Sequence, residues 1–288
     1  MKIGVSSYSY SQCIRAGKMT QLDCVAKAKE MGFDGIEFTD LKGDGIEEQI
    51  ALAKEIASEA ERVGIKVIAY TIGANLYHDK KEDSEAEIER LKGQLEVARA
   101  LGAPLMRHDV CYKLGKSGNS RSFDLMLPTI AENARRLTEY AESLGICTCT
   151  ENHGYIAQDS DRVERLFNAV AHDNFGLLVD IGNFICVDED PIHAVSRVAP
   201  YAIHAHAKDF DVGPTSDGGR TNTTRGCNFW RGVTIGDGVI PVKQCLAILK
   251  RAGYDGYVSV EFEGSEDCIE GIAKGLANIK KYLGEIEV

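Results

Sequence analysis

An α/β fold, built as a single (β/α)8 barrel, is predicted by three features of the sequence. Short apolar segments alternate about eight times with amphipathic helical stretches along the 288 residues, and strands alternating with helices require a parallel sheet. A glycine repeatedly separates the end of a helix from the strand that follows. Four of the later strands end in an acid or an imidazole, which gathers polar groups at their carboxyl ends. The competing architecture, a doubly wound open sheet, would want a Gly-x-Gly-x-x-Gly turn after its first strand, but the chain runs there into Ser6-Ser7-Tyr8-Ser9-Tyr10.

The strands are expected near 2–7, 35–39, 66–72, 104–108, 146–151, 176–180, 202–207 and 257–262. Helical periodicity fills 20–31, 46–63, 82–101, 128–143, 160–170, 191–198, 241–252 and 268–283. The boundary signal recurs at Met31-Gly32-Phe33, Val63-Gly64-Ile65, Leu101-Gly102-Ala103, Leu144-Gly145-Ile146 and Ala252-Gly253-Tyr254, where glycine supplies the left-handed residue that stops a helix. Pro128, Pro191 and Pro241 are expected in first helical turns. Extended loops follow the third, fourth and seventh strands, at 73–81, 109–124 and 210–238. They enlarge the face on which such barrels keep their active sites. Residues 1–288 are read as one domain.

Composition narrows the function. Hydrophobic residues make up 44% and charged residues 27%, ordinary for a globular enzyme. A net charge of -11 and a pI of about 5.2 leave no basic footprint, so neither nucleic acid nor an anionic membrane is expected as a partner. The chain starts directly in a strand-like pattern, with no signal-like apolar run and no span of about 20 apolar residues, which points to the cytoplasm. Nine scattered cysteines, an odd number, read as reduced thiols. Cys147-x-Cys149 has no second pair to complete a zinc ribbon and reads as core.

The chemistry is expected at the strand ends. Thr148-Cys149-Thr150-Glu151 runs into Asn152-His153-Gly154, Leu177-Leu178-Val179-Asp180 into Ile181-Gly182-Asn183, Ile203-His204-Ala205-His206 into Ala207-Lys208-Asp209, and Val258-Ser259-Val260 into Glu261. A two-residue period puts Cys147, Cys149, Glu151 and His153 on one face. An acid closing an apolar strand must be paired, bind a metal or do chemistry, because burying it alone is costly. Separate buried ion pairs would satisfy each of the four singly. Acids outnumber bases at neighbouring strand ends, however, and this favours Glu151, Asp180, His206 and Glu261 as ligands of one divalent cation. Three oxygen donors and an imidazole suit Mn²⁺ first, with Mg²⁺, Zn²⁺ or Co²⁺ as alternatives. Glu37, ending the second strand toward the barrel, is expected in a structural ion pair.

Six motifs carry a resemblance over essentially the whole chain: Gly-Phe-Asp-Gly-Ile-Glu at 32–37, Glu-Asn-His-Gly at 151–154, Asp-x-Gly-Asn at 180–183, His-x-His-x-Lys-Asp at 204–209, Gly-Asp-Gly-x-Ile-Pro at 236–241 and Gly-Tyr-Asp-Gly-Tyr-Val-Ser-Val-Glu at 253–261. Together they resemble the xylose isomerase-like TIM-barrel superfamily of sugar (phosphate) isomerases and epimerases, in particular its D-tagatose 3-epimerase-like members. The resemblance implies that the four strand-end residues hold one ion and that Glu151 and Glu261 double as catalytic proton acceptor and donor, working through an enediolate. The implied substrate is a ketose, inosose or related keto-sugar. Return of the proton to the opposite face would give an epimer, and return to the neighbouring carbon an isomer. The same site could expel a β-hydroxyl as a dehydratase or other lyase, and a barrel that binds sugar without turnover is the reading from another class.

Around the ion, His153 and His108 are candidates to bind a sugar hydroxyl or relay a proton. Lys208 is a candidate to hold a substrate oxygen or, equally, to pair with Asp209 at the surface. Arg231 approximates an arginine that family members place after the seventh strand. Trp230 either walls the pocket or meets another copy of the chain, so a homo-oligomer stays open. The expected partner is a small sugar or sugar phosphate, and Gly218-Gly219-Arg220 would either wrap a phosphate or form a mobile loop. The more distant endonuclease IV needs many histidines; this chain has seven, and Asn183 stands where that motif wants another, so DNA repair is not expected.

Overall fold

The computed structural model describes residues 1–286. Its strands are β1 (Lys2–Ser6), β2 (Gly35–Thr39), β3 (Lys66–Ile72), β4 (Leu105–His108), β5 (Cys147–Glu151), β6 (Phe175–Asp180), β7 (Ala202–Ala207), β8 (Asp209–Gly213), β9 (Asn222–Thr223), β10 (Phe229–Val233) and β11 (Tyr257–Val260). β1 to β7 and β11 form a closed parallel barrel, shut by pairing of β11 with both β7 and β1. The helices are α1 (Ser11–Arg15), α2 (Asp23–Met31), α3 (Ile46–Val63), α4 (Lys81–Leu101), α5 (Phe123–Ser143), α6 (Ser160–Val170), α7 (Pro191–Val198), α8 (Val242–Arg251) and α9 (Cys268–Glu285). All eight expected barrel strands and their helices are present, and α1 is an extra short turn after β1. Gly64 and Gly102, both at φ 71°, end α3 and α4 in the left-handed conformation.

The prolines need two corrections. Only Pro191 opens its helix. α5 begins at Phe123, so Pro128 lies inside it; its missing N–H leaves the Asp124 carbonyl without its intrahelical donor, on an exposed face where water can supply one. Pro241 caps α8 from just outside it.

Both faces of a closed parallel sheet are covered, and alternation divides the core accordingly. Ile36, Phe38, Tyr70, Met106, Leu177 and Val179 belong to the large cluster shared with the helices. Ala69, Leu105, Cys149 and Leu178 form a separate apolar plug inside the cylinder. Two residues further along those strands the inward face carries Thr71, Arg107, Glu151 and Asp180, all buried. The plug is thus the floor on which a polar cluster stands.

The long connection after β7 carries three short strands, with Gly218-Gly219-Arg220 in the turn between the first two. It folds into an antiparallel sheet in the order β8-β10-β9, with Trp230 opposite Val212 and Arg231 opposite Asp211. Its two ends meet at Asp209, whose carboxylate accepts N–H bonds from Phe210 (2.9 Å), Gly236 (2.9 Å), Gly238 (3.0 Å) and Ile240 (3.0 Å). A Cβ on Gly238 would lie 2.2 Å from that carboxylate. Among the described residues no helix is long and apolar enough to cross a membrane.

Candidate metal centre

Glu151, Asp180, His206 and Glu261 converge at the carboxyl ends of β5, β6, β7 and β11, with one ligating atom from each lying within 4.8 Å of the others. Register explains the meeting. Asp180 sits directly beside His206 across the β6–β7 ladder, and Glu261 anchors its own N–H to the Ala207 carbonyl at 2.9 Å.

Asp180 and His206 are each held through one atom and left without a hydrogen bond at another, whereas both oxygens of Glu151 are engaged. Asp180 Oδ1 accepts the N–H groups of Gly182 (2.8 Å) and Asn183 (2.9 Å), while the Asn152 side chain brackets its backbone from both sides at 2.9 Å. Its Oδ2 has no well-directed hydrogen bond, although Lys208 Nζ lies 3.0 Å away. Glu151 Oε1 accepts from Asn183 Nδ2 at 2.7 Å, and its Oε2 pairs with Arg107 at 2.7 Å. His206 Nε2 lies 2.6 Å from Glu37 Oε1, which leaves Nδ1 unpartnered and turned toward Glu261 Oε2 (3.4 Å) and Asp180 Oδ2 (3.8 Å). Glu37 also meets His204 Nε2 at 2.5 Å and Ser259 Oγ at 3.0 Å. It is the buried ion pair the sequence suggests, and the partner that sets the orientation of His206.

Electrostatics sets two carboxylates of the cluster apart. Burial, with Glu151 and Glu261 close by, pushes the Asp180 carboxyl up to about 7 despite Lys208. Burial also disfavours an ionised Glu261, but Lys208 and His206 outweigh it and hold that carboxyl well below the usual range. Asp180 Oδ2 and His206 Nδ1, buried and without hydrogen bonds within a set of three carboxylates and one imidazole, fit a divalent cation in chemistry and spacing.

The other expected residues divide. Lys208 lies inside the cluster, only 3% exposed, against Asp180, Glu261 and, at 2.8 Å, Glu263. It is not a surface partner of Asp209, whose carboxylate is taken up by backbone N–H groups. A Cβ on Gly182 would fall 2.5 Å from Lys208 Cγ, so the glycine after β6 makes room for the lysine stem. His153 faces the cavity with its side chain 44% exposed and Nδ1 2.8 Å from Asp109 Oδ1. Burial opposes its charging, but the bond to Asp109 prevails and raises its pKa; the Asp109 carboxyl is lowered to about 2, against its own burial, chiefly by Arg107.

His108 is not brought to this site. Leu105 and Arg107 take the inward positions of β4, so His108 points outward, its ring 6.2 Å from that of Phe175 and Nδ1 donating to the Asp109 carbonyl at 2.9 Å. Burial drops its pKa to about 4. Arg231 is also elsewhere: β10 pairs it with Asp211 at 2.9 Å in the inserted sheet. Trp230 packs on Phe210, ring centroids 4.7 Å apart.

The cluster opens into a cavity of about 340 Å³, whose opposite wall contains Tyr8, Thr39, Asp40, Thr71, Arg107 and Tyr112. None of these stood out in the sequence. Arg107 buries its guanidinium between Asp109 (2.9 Å) and Glu151, which makes the strand ends more evenly charged than their acid count suggested. A larger hollow of about 580 Å³ beside Ile240, Tyr282 and Glu285 contains no member of the cluster.

Comparison with known proteins agrees with this architecture. A family model described as xylose isomerase-like TIM barrel matches residues 25–282. The chain belongs to this family. Among curated relatives, the rhizopine catabolism protein MocC of Rhizobium meliloti is 26% identical over 253 residues, covering 83% of this chain and 74% of that protein. An inosose dehydratase of Lacticaseibacillus casei is 27% identical over 137 residues, 46% of each chain, so that match spans about half of the relative. Two solved structures share the fold. The IOLI protein with a bound zinc atom superposes with a TM-score of 0.77 at 18% identity, over 100% of this chain and 99% of its own. L-ribulose 3-epimerase gives 0.74 at 17% identity, over 98% and 94%.

Proposed function

We propose that the protein is a divalent-metal-dependent isomerase or epimerase that enolises a ketose, inosose or related keto-sugar. The observation that carries this reading is the convergence of Glu151, Asp180, His206 and Glu261 at the floor of a polar cavity. A cation held by these four would act as a Lewis acid, polarising the ketone and stabilising the negative charge that develops as the neighbouring C–H bond breaks. Glu151 and Glu261 then exchange protons with the substrate carbon, one accepting and one donating. Arg107 and Asn183 fix the Glu151 carboxylate, and Lys208 fixes that of Glu261, so neither base has to reorganise as the proton moves. Proton NMR in heavy water with Mn²⁺ and a panel of ketoses and inososes tests this. Deuterium should enter a carbon beside the carbonyl without loss of water, whereas a panel showing no metal-dependent exchange rejects the reading.

A second reading, dehydration of the same class of substrate, is favoured by the His153–Asp109 pair. A cavity-facing imidazole whose pKa is raised by a carboxylate can protonate a departing β-hydroxyl. The inosose dehydratase relatives lend it weight. An enone product in the same NMR experiment selects it.

A further inference from the structure

The wall facing the four strand-end donors is built by β1 to β4 and the loops that follow them. Most of its polar groups are already engaged. Tyr112 donates to Asp109 Oδ2 at 2.8 Å, and Arg107 spans Asp109 and Glu151. Asp40 is different. It follows β2 directly at the exposed rim of the cavity, with its N–H donating to the Thr71 carbonyl at 3.2 Å and its own carbonyl accepting from Gln21 Nε2 at 3.2 Å. The main chain is therefore pinned. Among the described residues, however, no donor is bonded to or paired with the Asp40 carboxylate, which lines the cavity.

Cations that might have claimed it are committed elsewhere. Arg107 is used as above. Arg90 pairs with Glu87 at 2.8 Å and donates to the Gly73 carbonyl at 2.8 Å. Lys208 is enclosed by Asp180, Glu261 and Glu263. Asp40, Asp109, Glu151, Glu261 and Glu263 line the cavity with Asp180 beneath them, against the permanent charges of Arg107 and Lys208 alone. Even a divalent cation in the cluster and a charged His153 leave one of these negative charges uncompensated. A phosphate dianion entering this space would meet surplus carboxylate and no unpaired lysine or arginine. A hydroxyl, in contrast, gives Asp40 a charge-assisted hydrogen bond.

We propose that Asp40 is a substrate-binding residue whose carboxylate accepts hydrogen bonds from substrate hydroxyls across the cavity from the four strand-end donors, selecting an uncharged polyhydroxy ketone over its phosphate ester. This rests on the enolising reading given above and narrows its substrate. Thr39 and Thr71 flank Asp40 and add neutral hydroxyl partners to the same wall.

The test separates binding from chemistry. Dissociation constants are measured by calorimetry on the Mn²⁺-loaded protein for D-fructose, D-tagatose and 2-keto-myo-inositol, and for the 6-phosphates of the two hexoses. Each neutral hexose should bind more tightly than its phosphate. Asp40→Asn should weaken the neutral ligands about tenfold or more, the usual effect of losing a hydrogen bond to a charged group, with metal content unchanged as the check on folding. Asp40→Arg should reverse the preference toward phosphate. A phosphate ester that binds as tightly as its parent, no measurable binding of any neutral ketone, or an Asp40→Asn protein of full metal content and unaltered affinity overturns the proposal. Deuterium exchange is read separately: its absence with the affinity order intact rejects the enolising chemistry and leaves the role of Asp40 standing.

Discussion

The two halves of the barrel mouth are built differently. On the side of β5, β6, β7 and β11, the four strand-end groups are largely enclosed and held in place: Asp180 by two backbone N–H groups, His206 by Glu37, Glu151 by Asn183 and Arg107, and Glu261 by Lys208. On the side of β1 to β4, Tyr8 and Tyr112 are 42% and 46% exposed and the Asp40 carboxylate has no partner among the described residues. The first half is pre-organised before anything binds, and the second acquires partners from what binds. This difference separates reactivity from selectivity: in our reading the rigid half holds the reacting carbon and the open half reads the rest of the molecule.

The largest effects should come from the rigid half. Glu151→Gln and Glu261→Gln are each expected to lower substrate deuterium exchange by about 10³-fold or more, the scale of a lost general acid or base. Exchange that persists in both would remove the two-glutamate mechanism and with it the division of labour. Next, Glu37→Gln should weaken Mn²⁺ binding about 10- to 100-fold, typical for an outer partner of a ligating histidine, while His206→Ala should lose the ion on dialysis. Equal metal affinity in the wild type and Glu37→Gln would show that His206 needs no orienting partner.

A smaller effect lies at the boundary between the halves. Asp109→Asn should lower the His153 pKa, because burial and Arg107 are then opposed only by Glu151; a histidine NMR titration measures this directly. The same pair shapes stability against pH. The folded Asp109 carboxyl lies near 2, so its contribution is full above the unfolded value of about 3.9 and is lost as pH falls toward 2. The contribution of His153 is full below its unfolded value of about 6.5 and is lost as pH rises through the raised folded one. The smallest effect is expected for Arg231→Ala: about 1 kcal/mol of stability at most, as for other exposed ion pairs, and no change in ligand affinity. A tenfold affinity loss there would bring the inserted sheet into the site.

What could be read from the sequence follows the same division. The barrel strands were legible because each is a short apolar run between glycine and polar punctuation. The acids of the rigid half were legible because each ends such a run. Inward and outward phase was not. Both faces of β4 are buried, so Leu105-Met106-Arg107-His108 offers no polar alternation to mark Arg107 as inward and His108 as outward. Lysine and arginine are seldom fully buried, so the sequence leaves Lys208 open between a substrate contact and a surface pair with Asp209, and gives Arg107 no role, until their carboxylate partners are brought next to them. The inserted sheet was hidden by composition: β9 is only Asn222–Thr223, in a stretch rich in residues that also make loops.

The Asp209 carboxylate, which gathers backbone N–H groups from both ends of the excursion after β7, has an evolutionary and engineering consequence. The base of that excursion is cinched independently of the turn at 214–221, whose bonds stay within the excursion, so that turn is expected to tolerate exchange while Lys208, one position before the knot, keeps its place; Thr224, Arg225 and Asn228 are instead tied to Asp188 and Asp159. New rim architectures can therefore be grafted at this point without retuning the floor beneath them.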